Sequence, residues 1–144
     1  MIPENEVGVI VEFAATCKSM GWEIIKAQAG FPDLVVRHQQ TGQEFRAEVE
    51  YKSANFKAHK HNPFGCDLVI AWVHDWQNCL MPVWVVPEWK GEVPTMMTEE
   101  QREIVRLRME NEALRAELAL GETVRPRPLV QIKAKNGEAA RGYV

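Results

Sequence analysis

Six consecutive apolar residues, Leu68-Val69-Ile70-Ala71-Trp72-Val73, constrain the fold of this chain more than any other segment. A strand with one face in water alternates apolar and polar side chains, because successive Cβ atoms point to opposite sides. A run that is apolar at every position has no face to offer water. It reads as a strand covered on both sides, in a sheet that carries other layers against it.

The flanking segments supply such a fold. Residues 7–20 place Val9, Phe13 and Cys17 four apart, with Ile10 widening the same side, which predicts an amphipathic helix. Gly21 follows as a C-cap. Residues 22–27 are rich in strand formers. Residues 33–37 and 43–52 read as strands joined by a Thr41-Gly42 hairpin turn. Residues 55–61 are polar and read as a short helix or loop, and residues 82–86 as a short strand nearer an edge. The order α-β-β-β-α-β-β implies an α/β protein with a mixed β-sheet flanked by helices, followed by a C-terminal helix.

Charges interrupt the hairpin in one place. On a strand, Glu48, Glu50 and Lys52 stand on one side. Three charges on a half-buried strand cost several kcal/mol unless something pairs or binds them. Pro32-Asp33 opens the preceding strand, so Asp33, Glu48 and Glu50 can form a compact site for a hard divalent cation. Lys52 beside them can orient an attacking water.

Pro32-Asp33 and Glu50-Tyr51-Lys52, on neighbouring strands, resemble the two halves of the motif of the PD-(D/E)xK nuclease superfamily. The stretch from Glu48 to Trp76, with Gly65-Cys66-Asp67-Leu68 and His74-Asp75-Trp76, is also similar to uncharacterised phage and prophage proteins. The likeness covers roughly residues 6–87. It implies a restriction-endonuclease-like core of order αβββαβ and a metal-dependent nuclease acting on nucleic acid, DNA first. It implies Asp33, Glu50 and Lys52 as catalytic residues, with Asp33, Glu48 and Glu50 holding Mg²⁺ or Mn²⁺. In some related nucleases a Glu on the first helix joins the metal site, and Glu6 and Glu12 are the candidates. The rival reading is a catalytically silent binding or regulatory protein on the same fold, acting through a partner.

Other polar residues admit two meanings. Ser53, Asn55, Lys57, His59 and Lys60 are candidates to meet nucleic-acid phosphates, and Ser53 or Asn55 can equally cap a following helix. His59 and His61 could form a metal pair with Cys66 or Asp67, although the spacing matches no zinc pattern. His74 and Asp75 read as a turn.

Charge argues mildly against tight, non-specific DNA binding. Residues 1–94 carry 8 basic and 12 acidic side chains, and residues 121–144 carry 5 and 2. A bound cation would offset part of the acidity. No apolar run approaches the ~20 residues a membrane span needs. The acidic start, Met1-Ile2-Pro3-Glu4-Asn5-Glu6, lacks the order of a signal peptide, so a cytoplasmic protein is expected, in a bacterial host if phage-encoded. Cys17, Cys66 and Cys79 form no disulfide framework.

The C-terminal third is of another kind. Thr98 and Gln101 have the form of a capping box. Ile104, Leu107, Asn111, Leu114 and Leu118 then alternate spacings of three and four. That is either a coiled-coil seam pairing two copies through residues 98–120, with Asn111 setting register, or a stripe packed on its own domain. The expected organisation is a nuclease-like domain over 1–94, a helix over 95–120 and a basic, mobile tail over 121–144.

Overall fold

The computed structural model describes residues 2–124. Helix α1 spans Glu6–Cys17, and its N-cap Asn5 accepts a hydrogen bond from the Gly8 N–H at 2.9 Å. Val9, Phe13 and Cys17 are its buried residues, as the fourfold spacing predicts. A 3₁₀ turn, Lys18–Met20, carries the chain to Gly21, whose φ of 90° is the left-handed conformation that glycine adopts without strain.

Five strands follow in sheet order β1-β2-β3-β4-β5: Trp22–Ala27, Leu34–His38, Glu44–Lys52, Leu68–Val73 and Val83–Val85. Neighbours among β1, β2 and β3 are antiparallel. The β3/β4 and β4/β5 pairs are parallel. The sheet is therefore mixed, with β3 and β4 inside it and β5 at an edge. Gly42, at φ 77°, makes the hairpin turn between β2 and β3. A four-residue helix, α2, spans Asn55–Ala58 between β3 and β4.

Leu68, Val69, Ile70 and Ala71 are all fully buried, because β4 has a core on each side. Alternation divides the residues between them. Ala47, Val49, Leu68 and Ile70 join a core with α1 residues and three tryptophans, where Trp22 meets Trp84 edge-on at 4.7 Å. Val69 and Ala71 join a second core with Phe56, Trp76, Met97 and Val105. Each such side chain contributes roughly 1.5–3 kcal/mol when fully buried. Glu48 pairs with Val69 and Glu50 with Ala71, so both carboxylates emerge on the side of the second core.

Helix α3 spans Glu99–Val124. The capping box forms in both directions: the Thr98 N–H donates to Gln101 Oε1 and the Gln101 N–H to Thr98 Oγ1, each at 3.0 Å. The compact unit runs from Met1 to Met109, so the boundary expected at residue 94 falls inside it. Arg102 ties the start of α3 into that unit. Its guanidinium donates to the Pro63 and Cys66 carbonyls at 2.6 Å each and to Asp67 Oδ1 at 2.9 Å. This holds the face bearing Arg102 and Val105 against the second core, and Ile104 and Leu107 lie on exposed positions. In the second unit, Glu110–Val144, Leu114 and Leu118 are exposed as well. Within the first unit, Ile104 and Leu107 thus stay outside the core. Residues 125–144, most of the expected basic tail, lie outside the described residues. Among the described residues, no helix is long and apolar enough to cross a membrane.

Candidate metal centre

The cluster starts from two reciprocal bonds. The backbone N–H of Asp33 donates to Glu48 Oε1 at 3.0 Å, and that of Val49 donates to Asp33 Oδ2 at 2.9 Å. Each carboxylate thus engages the backbone of the neighbouring strand. Glu50 lies two residues beyond Glu48 and is fully buried. Among the described residues, its Oε1 is the buried side-chain oxygen left without a hydrogen-bond partner.

Two histidines close the group, delivered by the short helix and the residues after it. The His59 N–H donates to the Asn55 carbonyl at 2.8 Å and the His61 N–H to the Phe56 carbonyl at 3.2 Å. Lys60 between them takes φ 58°, a left-handed conformation costing an L-residue about 1 kcal/mol. His59 Nδ1 lies 3.2 Å from Glu50 Oε1. His61 Nε2 lies 2.9 Å from Glu48 Oε2 and 3.4 Å from Glu50 Oε2. The His61 ring stacks on Phe31 at 4.6 Å with an interplanar angle of 11°. Glu6, at the start of α1, brings its Oε2 to 3.9 Å from His59 Nδ1.

The electrostatics follow from packing several acids around one buried point. Burial, then the charge of Asp33, pushes Glu48 up to about 8. Burial, then a hydrogen bond and charge from Glu6, pushes Glu50 up to about 9. Asp33 is also raised, by burial against the opposing bond from Val49. His61 is lowered by burial and by its neighbour His59. Such a cluster is costly as it stands. The orphaned Glu50 carboxylate, with the His59 and His61 nitrogens within 4.8 Å, could hold a divalent cation, which would supply the missing partner.

Asp33 and Glu48 are joined by the crossed bonds and Glu50 follows on the same face of β3, but among the described residues the ligand atoms that lie within 4.8 Å of one another belong to Glu50, His59 and His61. Lys52 follows on the same side of β3 and is exposed. The expected nucleic-acid contacts divide. Ser53 is buried: its Oγ lies 2.7 Å from His74 Nδ1 and accepts from the Asp75 and Trp76 N–H groups at 3.0 and 3.2 Å. It ties together the carboxyl ends of β3 and β4 and has no surface for phosphate. His59 belongs to the acidic cluster. Asn55 opens α2, Lys57 Nζ stands 6.0 Å from the Trp76 ring centre, and Lys60 is exposed. Neither Cys66 nor Asp67 joins His59 and His61. Asp67 is taken by Arg46 and Arg102, at 2.9 Å each, and the Cys66 thiol donates to the Leu68 carbonyl. Of the two helix carboxylates weighed, Glu6 reaches the cluster.

A cavity of 560 Å³ opens beside β5, lined among others by Trp84, Trp89, Met96 and Met97. None of the cluster residues lines it. No protein-family model, no curated protein and no solved structure matches the chain.

Proposed function

We propose that the chain is a divalent-cation-dependent nuclease, hydrolysing phosphodiester bonds in nucleic acid, DNA first, of the kind phages and prophages carry. The observation behind this reading is that Glu48, bonded to the Asp33 backbone, and the fully buried Glu50, whose Oε1 accepts no hydrogen bond, share one face of β3. The element order and the parallel β3/β4 pair are what a restriction-endonuclease-like core requires, which supports that fold assignment.

Asp33 and Glu50, with Glu48, would hold Mg²⁺ or Mn²⁺. Such an ion, when bound, lowers the pKa of a water and offsets charge on a phosphate. Lys52 carries its ammonium on the same side of the strand, where it orients the attacking water and stabilises negative charge developing on the phosphoryl oxygens. Water adds to phosphorus, the bond to the leaving oxygen breaks, and the water's proton leaves through the carboxylates and solvent. Lys57 and Lys60, on and just after α2, are the residues to meet neighbouring phosphates.

The second reading, a catalytically silent binding protein, draws on the acidity of residues 1–94 and on the histidine partners that Glu48 and Glu50 already have. Incubation with supercoiled plasmid, single-stranded DNA and RNA in Mg²⁺ or Mn²⁺ separates the two. Cleavage that EDTA and Lys52→Ala both abolish supports the nuclease. Cation binding without cleavage of any substrate sinks it in favour of the silent protein. Pairing of two copies along α3, through Leu114 and Leu118 with Asn111 between turns, belongs to the same proposal.

A further inference from the structure

We propose that His59 and His61 are metal ligands. With Glu50 they form a carboxylate–imidazole–imidazole site that prefers a borderline first-row cation, Zn²⁺, Co²⁺ or Mn²⁺, to Mg²⁺. The inference rests on the metal-binding reading of the same cluster and says which donors select the ion.

Geometry carries it first. One ligand atom each from Glu50, His59 and His61 lie within 4.8 Å of one another. Ligands bonded at ~2.0–2.2 Å around one ion stand roughly 3–3.5 Å apart. Glu50 Oε2 lies 3.3 Å from His59 Nδ1 and 3.4 Å from His61 Nε2, both in that interval. The other oxygen of that carboxylate, Oε1, is buried 3.2 Å from His59 Nδ1 and has no hydrogen bond, an independent sign that this carboxylate has a partner to gain.

The chemistry follows from the donors. Mg²⁺ takes oxygen ligands in near-ideal octahedral geometry and keeps several waters, so two imidazole walls disfavour it. Imidazole nitrogen suits Zn²⁺ and its neighbours in the first row. The rings are also held for this use. His61 presents Nε2 inward while its face is fixed by stacking on Phe31, and His59 presents Nδ1. The left-handed turn at Lys60 lies between these two residues, so backbone strain sits where the two rings converge.

The test uses the full chain stripped of metal. Calorimetric titration with MgCl₂, MnCl₂ and ZnCl₂ is compared for wild type, His59→Ala and His61→Gln. Each substitution is expected to narrow the Zn²⁺/Mg²⁺ affinity ratio at least about tenfold and to change Mg²⁺ binding less than about threefold. A ratio insensitive to both histidines overturns this inference alone and leaves a carboxylate site. Binding of no divalent cation overturns it together with the nuclease reading. A measurement on the unmodified protein guards against a variant that fails to fold. With Co²⁺ bound, the free N–H of each ligating ring gives a paramagnetically shifted, exchangeable proton resonance. Two such resonances are expected from the four histidines of the chain, and fewer than two overturn the inference.

Discussion

In the metal-free protein, Glu50→Gln is expected to stabilise the fold and to flatten its response to pH. The Glu50 carboxyl is fully buried and pushed up to about 9, first by burial and then by Glu6, Glu48 and Asp33. In the unfolded chain it titrates near 4.5. At pH 7 the folded protein therefore keeps a proton that the unfolded chain has released. At about 1.4 kcal/mol per pH unit, over roughly 2.5 units, that proton costs about 3 kcal/mol. Burying a glutamine amide at position 50 costs part of that gain, which leaves about 2 kcal/mol for the neutral isostere to recover. The sign against pH follows. Between 4.5 and the raised values, about 8 for Glu48 and about 9 for Glu50, the folded state binds more protons than the unfolded one. Metal-free stability is then greatest below that window and falls as pH rises through it. Removing one of the titrating groups lowers the slope by up to about 1.4 kcal/mol per pH unit. Urea denaturation in EDTA at about pH 5.5, 7 and 8.5 measures both quantities. A glutamine variant less stable than wild type at pH 7, or one with an unchanged slope, would refute the account of a buried, unsatisfied carboxylate.

Four further outcomes are expected. Millimolar Mn²⁺ should raise the melting temperature, with about 2.7 kcal/mol of stabilisation at a hundred times Kd, and Asp33→Asn should lose most of that gain; equal shifts in both proteins would count against the site. Lys52→Ala should cut cleavage by about 10²–10³ while preserving the cation-induced shift in melting temperature, since lysine supplies no ligand. Arg102→Met should cost about 2–4 kcal/mol in urea melts, because Asp67 keeps Arg46 while two carbonyls lose their donors; a change under 0.5 kcal/mol would show the buried guanidinium to be idle. Light scattering should find the full chain dimeric and the Leu114→Glu/Leu118→Glu variant monomeric with unchanged metal binding; two monomers remove the pairing proposal.

What could be read from the sequence was what periodicity and turn chemistry encode locally. The apolar run of β4, the Thr41-Gly42 turn and the Thr98/Gln101 box all have short-range signals, and each stands where those signals put it. The approach of Asp33 to Glu48, and of Glu50 to the same face, was legible because alternation and a hairpin place them there. His59 and His61 were not assigned to that cluster, because a polar stretch with no period shows nothing of where its backbone turns. Glu6 could be named as a candidate, but only packing of α1 brings its carboxylate beside His59. Arg102 carried no local signal either. Its partners, Pro63, Cys66 and Asp67, lie more than thirty residues away, and a lone arginine on a helix otherwise looks solvated.

The crossed bonds between Asp33 and the β3 segment Glu48-Val49 have a consequence for how β2 and β3 find each other. Sliding one strand past the other by a single residue would turn Glu48 and Glu50 toward the tryptophan core and Ala47 and Val49 toward the acidic cluster. It would break both crossed bonds at once. The hairpin therefore proofreads its own alignment: a misregistered pair cannot gather the carboxylates. Any cation that needs all three binds only chains whose strands have met correctly, and so acts as a selector among folding products.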